Sequence, residues 1–334
     1  MKHWTEPQGI LLMQIPIEWQ YLNIAIKNTK EKPPYIFEPY ENPIGRFQLS
    51  CYPLSDAPLE FKKITQEELS SKKWRHSIDC SEKNETHIFI CARDDQALTA
   101  KYIYNINLRN DSRILDQLKI THSVLDSIVI VPLQERIIAA NLDKYDRFLA
   151  SLVASYDLLY SAINSNSYIE LIIVCANQID AFLRLGIVIK KQLQSCSNDI
   201  EIKYLFQDEN EKGILERSVF NHALELGIIN QTLHNELSQL YNLRNRVVHR
   251  YIISPINTRD MVEVSTKYLE HLEKVRILLR EIEEQQIGKS FGIYGNGFVR
   301  AKSFDNVEIR RAHSWANDKH LLKRFNRKIT SEKK

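Results

Sequence analysis

The sequence predicts an α+β protein: a β-rich N-terminal domain over residues 1–131, an antiparallel helical bundle over 132–287, and a Gly-rich, basic C-terminal tail over 288–334. Three observations carry this reading. All ten prolines except Pro132 and Pro255 lie in the first 60 residues, among short β-type runs. From Pro132 onward, apolar residues recur at the 3.6-residue spacing of amphipathic helices. Residues 289–334 hold 12 Lys+Arg against 4 Asp+Glu, a net of +8 in a chain whose total is +3, so the rest carries −5.

A chain of 334 residues has room for two domains, and 43% hydrophobic with 26% charged residues is ordinary for a soluble globular protein. The five cysteines (Cys51, Cys80, Cys91, Cys175 and Cys196) are odd in number and widely spaced. With no C-x-x-C pair, a zinc ribbon or dithiol redox site is not expected, and the compartment is read as reducing. The N-terminus lacks the basic-then-apolar order of a signal peptide. The most apolar segment, Leu171–Ile189, carries Asn177, Gln178, Asp180 and Arg184, which argues against a membrane span. The expectation is a cytoplasmic protein with no membrane contact.

In the first domain the β-type runs are Gly9–Tyr21, Arg46–Tyr52, Thr86–Ala92, Leu98–Leu108 and Ser127–Val131. Tyr102, Tyr104, Ile106 and Leu108 alternate with other residues as in a half-buried strand. A helix is expected at Gln66–Lys73, with Thr65 as N-cap and acidic residues in its first turn. Trp4, Trp19 and Trp74 read as core or edge aromatics rather than a base-stacking platform. His76 and Asp79 could mimic an acid–base pair, although a histidine near a carboxylate is more often structural or solvated.

The helices follow in order. Pro132 suits a helix start because its missing N–H would be unpaired there anyway. The first helix runs to Ile163, with Ile137, Ile138, Leu142, Tyr145, Phe148, Leu149, Val153, Tyr156, Leu159 and Tyr160 at helical spacing, and Asn164-Ser-Asn-Ser167 breaks it. The second runs from Tyr168 to Leu193 and the third over Ile214–Leu226, which Gly227 caps. Asn230 caps a helix over Gln231–Val248, and a last long helix spans Arg259–Gln286. Long helices with short connections indicate an antiparallel bundle.

Gly288–Gly297 holds four of the nine glycines and reads as a hinge, a tight hairpin or a flexible linker. Its Gly288-Lys289-Ser290 resembles the end of a phosphate-binding loop, but Glu283 stands where the earlier glycine is required and no strand precedes it. Beyond it, basic residues including Arg310, Arg311, Lys323 and Arg324 interleave with Phe298, Phe304, Trp315 and Phe325. Basic groups neutralise phosphates and rings stack on unpaired bases, so the tail is a candidate RNA-binding element. The competing reading is a tail that docks its aromatics on the body and exposes its charges.

One stretch concentrates phosphate-binding and proton-moving side chains: Tyr241-Asn-Leu-Arg-Asn-Arg-Val-Val-His-Arg250. Together with Cys175-Ala-Asn-Gln-Ile-Asp-Ala-Phe-Leu-Arg184 and the approach Phe220–Leu240, it resembles the HEPN domains, helical modules of prokaryotic toxin, defence and ribonuclease proteins. Arg244-Asn-Arg-Val-Val-His249 fits that family's R-x(4–6)-H pattern, and the resemblance covers residues 165–286. It implies a four- or five-helix bundle that dimerises to bring two motifs together and cuts RNA without a metal or other cofactor. By matching position, Arg244 and His249 would be catalytic, Asn245 would orient them, and Asp180 would take the polar position of the first helix. A defence or toxin-like role rests on the same resemblance. The β-rich domain would sense or restrain, through an activating or inhibitory protein or ligand.

The residues themselves suit that chemistry. RNA supplies its own nucleophile, the 2′-OH, and cleavage needs a proton removed there, charge stabilised on phosphorus and a proton given to the 5′-oxygen. Histidine transfers protons near neutral pH, and the arginine fork holds two phosphate oxygens. Arg246 and Arg250, one turn apart, would widen the phosphate grip. On an ideal helix five residues separate Arg244 and His249 by about 140°. Either the helix ends before His249, or a partner protomer supplies the other half of the site. Against catalysis stands a non-catalytic RNA- or protein-binding adaptor on the same bundle, with Arg244, Asn245 and His249 capping carbonyls and Arg184 pairing Asp180 one turn away.

Overall fold

Alternating burial organises the first half of the chain. The computed structural model describes residues 1–23, 31–57, 73–207 and 211–295. The chain divides into two compact units, Met1–Ala140 and Asn141–Lys334. The protein is α+β, with antiparallel sheets in the first unit and helices in the second.

In the first unit, β1 (Lys2–Thr5), β2 (Leu11–Ile15) and β9 (Val129–Ile130) form one small sheet in the order β1-β2-β9. The other strands are β3 (Trp19–Tyr21), β4 (Tyr35–Pro39), β5 (Gly45–Pro53), β6 (Arg75–Cys80), β7 (Asn84–Arg93) and β8 (Gln96–Asn105). They make a six-stranded sheet in the order β3-β4-β5-β8-β7-β6. All the pairings are antiparallel. Phe37, Phe47 and Tyr102 fall on one face by register and are fully buried. Trp4 joins the two sheets, its ring 5.2 Å from Tyr35 and 5.1 Å from Phe37. Trp4 and Trp19 are core residues; Trp74 lies at the margin with the Arg93 guanidinium 5.3 Å above it.

Helix α1 (Ser112–Asp126) packs Ile114, Val124 and Leu125 inward and holds Trp19 through Gln117, whose Oε1 accepts from the indole N–H at 3.0 Å. The β-run reading omits β1, β4, β6 and α1, and it extends β8 three residues too far, where Ile106–Leu108 is a 3-10 turn. The expected helix at Gln66–Lys73 lies almost wholly outside the described residues. His76 does not meet Asp79: three residues apart on a strand, the two point to opposite faces.

Helix α2 (Arg136–Asn164) begins after a 3-10 turn at Leu133–Glu135 and ends at the predicted Asn-Ser break, where Asn166 has φ +54°. Of its predicted inner stripe, Tyr145 and Leu159 are buried, whereas Ile137, Ile138, Val153, Tyr160 and Ile163 are exposed. In the second unit follow α3 (Tyr168–Ser195), α4 (Glu216–Glu225), α5 (Gln231–Arg250) and α6 (Thr258–Gln286). Asn230 caps α5, its side chain accepting from Leu233 N at 2.9 Å, and Asn257 with Asp260 forms a reciprocal capping box on α6. Contacts between α5 and α6 run in opposite directions: Glu236 pairs with His271, and Leu240 accepts from the Tyr268 hydroxyl. Helix α3 is apolar and long enough to cross a membrane by composition alone, yet 72% of its most apolar window is buried inside the fold, as in a core helix.

The start of the Gly-rich segment is not a free linker. Gly292 N donates to Asn198 at 2.8 Å, Ile293 N to Gln192 at 3.2 Å and Tyr294 N to Gln286 at 3.0 Å. Gln286 is fully buried and also donates to Gln192 and to the Ile189 carbonyl. Residues 288–295 are therefore docked on the helical unit.

Candidate functional site

Helix α5 buries Leu233, Leu237, Leu240 and Val247, a 4-3-7 spacing with one step missing. The missing position is Arg244. Its register turns a permanently charged guanidinium toward the bundle, where burial without a partner is costly. Glu216, the first residue of α4, supplies that partner: Arg244 Nη1 donates to Glu216 Oε2 at 2.5 Å, with side-chain exposures of 17% and 16%. Arg244 Nη2 donates to Asn245 Oδ1 at 3.1 Å, so Asn245 steadies this fork. The flat face of the guanidinium lies 4.7 Å from the Tyr241 ring, one turn earlier. Arg217 is also 4.7 Å from that ring and donates to Asn242 at 2.6 Å.

Asp180, on α3, joins the same charge cluster. Arg184 Nε donates to Asp180 Oδ2 at 2.6 Å, and the rest of the Arg184 fork donates to the carbonyls of Tyr204 and Ile214. Asp180 Oδ1 is buried with no hydrogen-bond partner among the described residues. Burial pushes the Asp180 carboxyl above the ordinary range, against the pull of Arg184 and Arg244. Burial also raises Glu216, Arg244 opposes it, and Asp180 adds repulsion. Two carboxylates and two guanidiniums thus share one partly buried cluster, and Arg184 staples it to the loop before α4.

His249 stands apart. Helix α5 continues through it to Arg250, two residues beyond the expected end, so the helix does not stop to bring His249 round to Arg244. The imidazole is exposed and makes no hydrogen bond among the described residues, and Arg246 and Arg250 are exposed beside it. The surface there is apolar as well as basic: Val248 and Tyr251 are exposed, Ile252 is 94% exposed and Ile253 is 83% exposed. A groove of about 250 Å³ runs between Arg246, Val247 and Leu243 on one wall and Asp260, Glu263, Val264 and Lys267 on the other. Arg310, Arg311, Lys323 and Arg324 lie outside the described residues. Among the described residues, no group of three or more His, Cys, Asp or Glu side chains is placed to hold a metal ion.

Sequence reasoning missed Glu216, Tyr241 and Arg217. Tyr241 was legible, three residues before Arg244 on the same helical face. Glu216 pairs with a residue 28 positions away, which no local pattern signals.

No family model and no curated protein sequence matches this chain. A crystal structure at 1.50 Å of a protein from Bacteroides thetaiotaomicron VPI-5482 is 13% identical to it, over 52% of this chain and 76% of the other, with a TM-score of 0.27. That likeness is too slight to assign a fold family or an activity.

Proposed function

We propose that the protein is a cytoplasmic, metal-independent endoribonuclease of HEPN type that works as a homodimer. The observation that carries this reading is the unbroken helix α5, which turns a half-buried Arg244 toward Asp180 and leaves His249 exposed about 140° away at its open end. One chain then holds a phosphate-binding half and a proton-transfer half that do not converge. A second copy, seated on the apolar rim of Tyr251, Ile252 and Ile253, would bring two histidines and two arginines together. In that site His249 moves the proton of the 2′-OH or of the 5′-oxygen. Arg244, steadied by Asn245, stabilises the phosphorane, and Arg246 and Arg250 hold flanking phosphates. The basic tail would track the RNA strand, and the β-rich unit would restrain or trigger the site. A role in antiviral defence or toxin-like growth control follows from the family resemblance.

Purified protein incubated with single-stranded RNA in EDTA is expected to leave 2′,3′-cyclic phosphate ends. His249→Ala is expected to abolish cutting without changing the circular dichroism spectrum or the oligomeric state. Unchanged cutting by His249→Ala would overturn the assignment. One observation favours a second reading, a non-catalytic RNA- or protein-binding adaptor: the Arg244 fork is already committed to Glu216 and Asn245. Wild-type protein that dimerises and binds RNA but never cuts it would decide for the adaptor.

A further inference from the structure

At the β6 edge of the six-stranded sheet, the core face turns polar. Cross-strand pairing puts His76 opposite Phe89, Ile78 opposite His87, Cys80 opposite Glu85, and Glu85 opposite Tyr104. Glu85 is 2% exposed; its Oε1 accepts from the Tyr104 hydroxyl at 2.6 Å, and Arg109 Nε lies 3.1 Å from its Oε2. His87, 8% exposed, places Nε2 at 3.3 Å from Glu85 Oε1 and Nδ1 at 3.0 Å from His76 Nε2. The two imidazoles are tilted by only 19° with centroids 5.0 Å apart, close to the sum of the contact and two ring radii, so the N···N contact lies near both ring planes.

These partners fix the protons by elimination. An ionised Glu85 can only accept, so His87 Nε2 carries hydrogen and its Nδ1 accepts. His76 Nε2 then donates, which leaves the lone pair of His76 on Nδ1. The ring cannot turn freely, because it stacks on Phe89 at 4.6 Å and 10°. Histidines that hold metals characteristically donate their other ring N–H to a carboxylate or its relay, which orients the ring and makes the ligating nitrogen more basic. Here that outer shell is already built behind His76. A second imidazole, His122 on α1, stands 6.2 Å from it, edge to face, and both rings are exposed.

We propose that His76 and His122 bind a divalent transition-metal ion of the kind that prefers imidazole nitrogen, such as Zn²⁺ or Ni²⁺, with the Glu85–His87 relay positioning His76. Two protein ligands with water in the remaining positions define a modest site, with a dissociation constant on the order of micromolar rather than that of a four-ligand structural zinc. The bound ion would tie the edge strand β6 to α1. This proposal does not depend on the ribonuclease reading, which takes no metal.

The test is calorimetric titration of the full chain, first stripped with EDTA and desalted, with Zn²⁺ and separately with Ni²⁺. One ion per chain is expected, and Mg²⁺ should give no heat because it favours oxygen ligands. His122→Ala and His76→Ala, both surface changes, should each weaken binding at least ten-fold, and Glu85→Gln by roughly ten-fold through the outer shell. His3→Ala, away from this cluster, should leave the affinity unchanged. Circular dichroism checks the fold of each variant, and if His76→Ala misfolds, His122→Ala decides. Absence of saturable binding, or wild-type affinity in a folded His122→Ala, would overturn the proposal.

Discussion

Glu216 holds the Arg244 guanidinium at 2.5 Å, and neither side chain is more than 17% exposed. The arginine of the candidate motif is thus already bound to a carboxylate on a neighbouring helix. Removing one partner of a buried pair leaves the other uncompensated, whereas replacing both with apolar groups of similar size can be nearly neutral. Arg244→Met should therefore destabilise the helical unit by about 3 kcal/mol, and Arg244→Met with Glu216→Met by markedly less. Urea melts of both single variants and the double variant measure the coupling. Simple additivity would show that the pair is not coupled.

His249→Ala should behave in the opposite way. The side chain is exposed and unpaired among the described residues, so stability should change by less than about 0.5 kcal/mol. Equal losses for His249→Ala and Arg244→Met in the same melts would contradict the asymmetry of the site.

Acid should act on the two units with opposite sign. The hydrogen bond from Tyr104, assisted by Arg109 and His87, holds the Glu85 carboxyl below its ordinary 4.5. A carboxyl that is more acidic when folded stabilises the fold above that ordinary value, and the stabilisation is lost as pH falls through the folded value. Burial raises Asp180 and Glu216 instead. Their ionisation costs stability at neutral pH, and the cost disappears as pH falls through their raised values toward 3.8 and 4.5. Trp4, Trp19 and Trp74 lie in the first unit, so in a Trp315→Phe background tryptophan fluorescence should show its melting point falling as the pH drops below about 5. Glu85→Gln should flatten that limb, and an unchanged limb would refute its attribution to Glu85.

Gly45 and Tyr102 offer a paired test in the first sheet. A Cβ at Gly45 would lie 2.7 Å from the Tyr102 hydroxyl oxygen, which is buried and has no hydrogen-bond partner among the described residues. Gly45→Ala should cost about 1–3 kcal/mol by overpacking. Tyr102→Phe, which deletes an unsatisfied buried hydroxyl, should be neutral or stabilising and should relieve part of the Gly45→Ala loss. Thermal melts of the four-member cycle would reject this packing if the two effects simply add.

The docked Gly-rich turn predicts a local effect. Gly292 has φ +85°, and a Cβ there would sit 2.3 Å from Gln286 Nε2. Gly292→Ala should release the turn, seen as faster amide hydrogen exchange at Ile293 and Tyr294 with little change along α3. Unaltered exchange at those two amides would show that the turn does not depend on this glycine.

Much of this architecture was legible because local chemistry specified it. Asn230, Asn257, Gly227 and the Asn164–Ser167 break each mark a helix end where one is found. The inward turn of Arg244, in step with Leu233, Leu237 and Leu240, is seen only in the fold. Strand β6 was not legible: every residue on it is exposed, so no alternation betrays it. Helix α1 was overlooked despite Asp111, a good N-cap whose side chain accepts from Arg113 N. Two features of the site lay beyond sequence reading altogether. The Glu216–Arg244 pair and the Glu85–His87–His76 relay both depend on tertiary placement, since either partner reads alone as an ordinary surface residue.

The charge cluster at Asp180, Arg184, Glu216 and Arg244 also has a consequence for ions in solution. Two positive and two negative groups cancel, so while Glu216 holds it Arg244 adds little to neutralising a polyanion's phosphates, whose condensed cations are what binding releases. The salt dependence of any nucleic-acid binding to α5 would be set by Arg246 and Arg250, which face water. Replacing Glu216 with glutamine would unmask Arg244 as one further phosphate contact, steepening the dependence of log K on log salt by about 0.7 for a single strand.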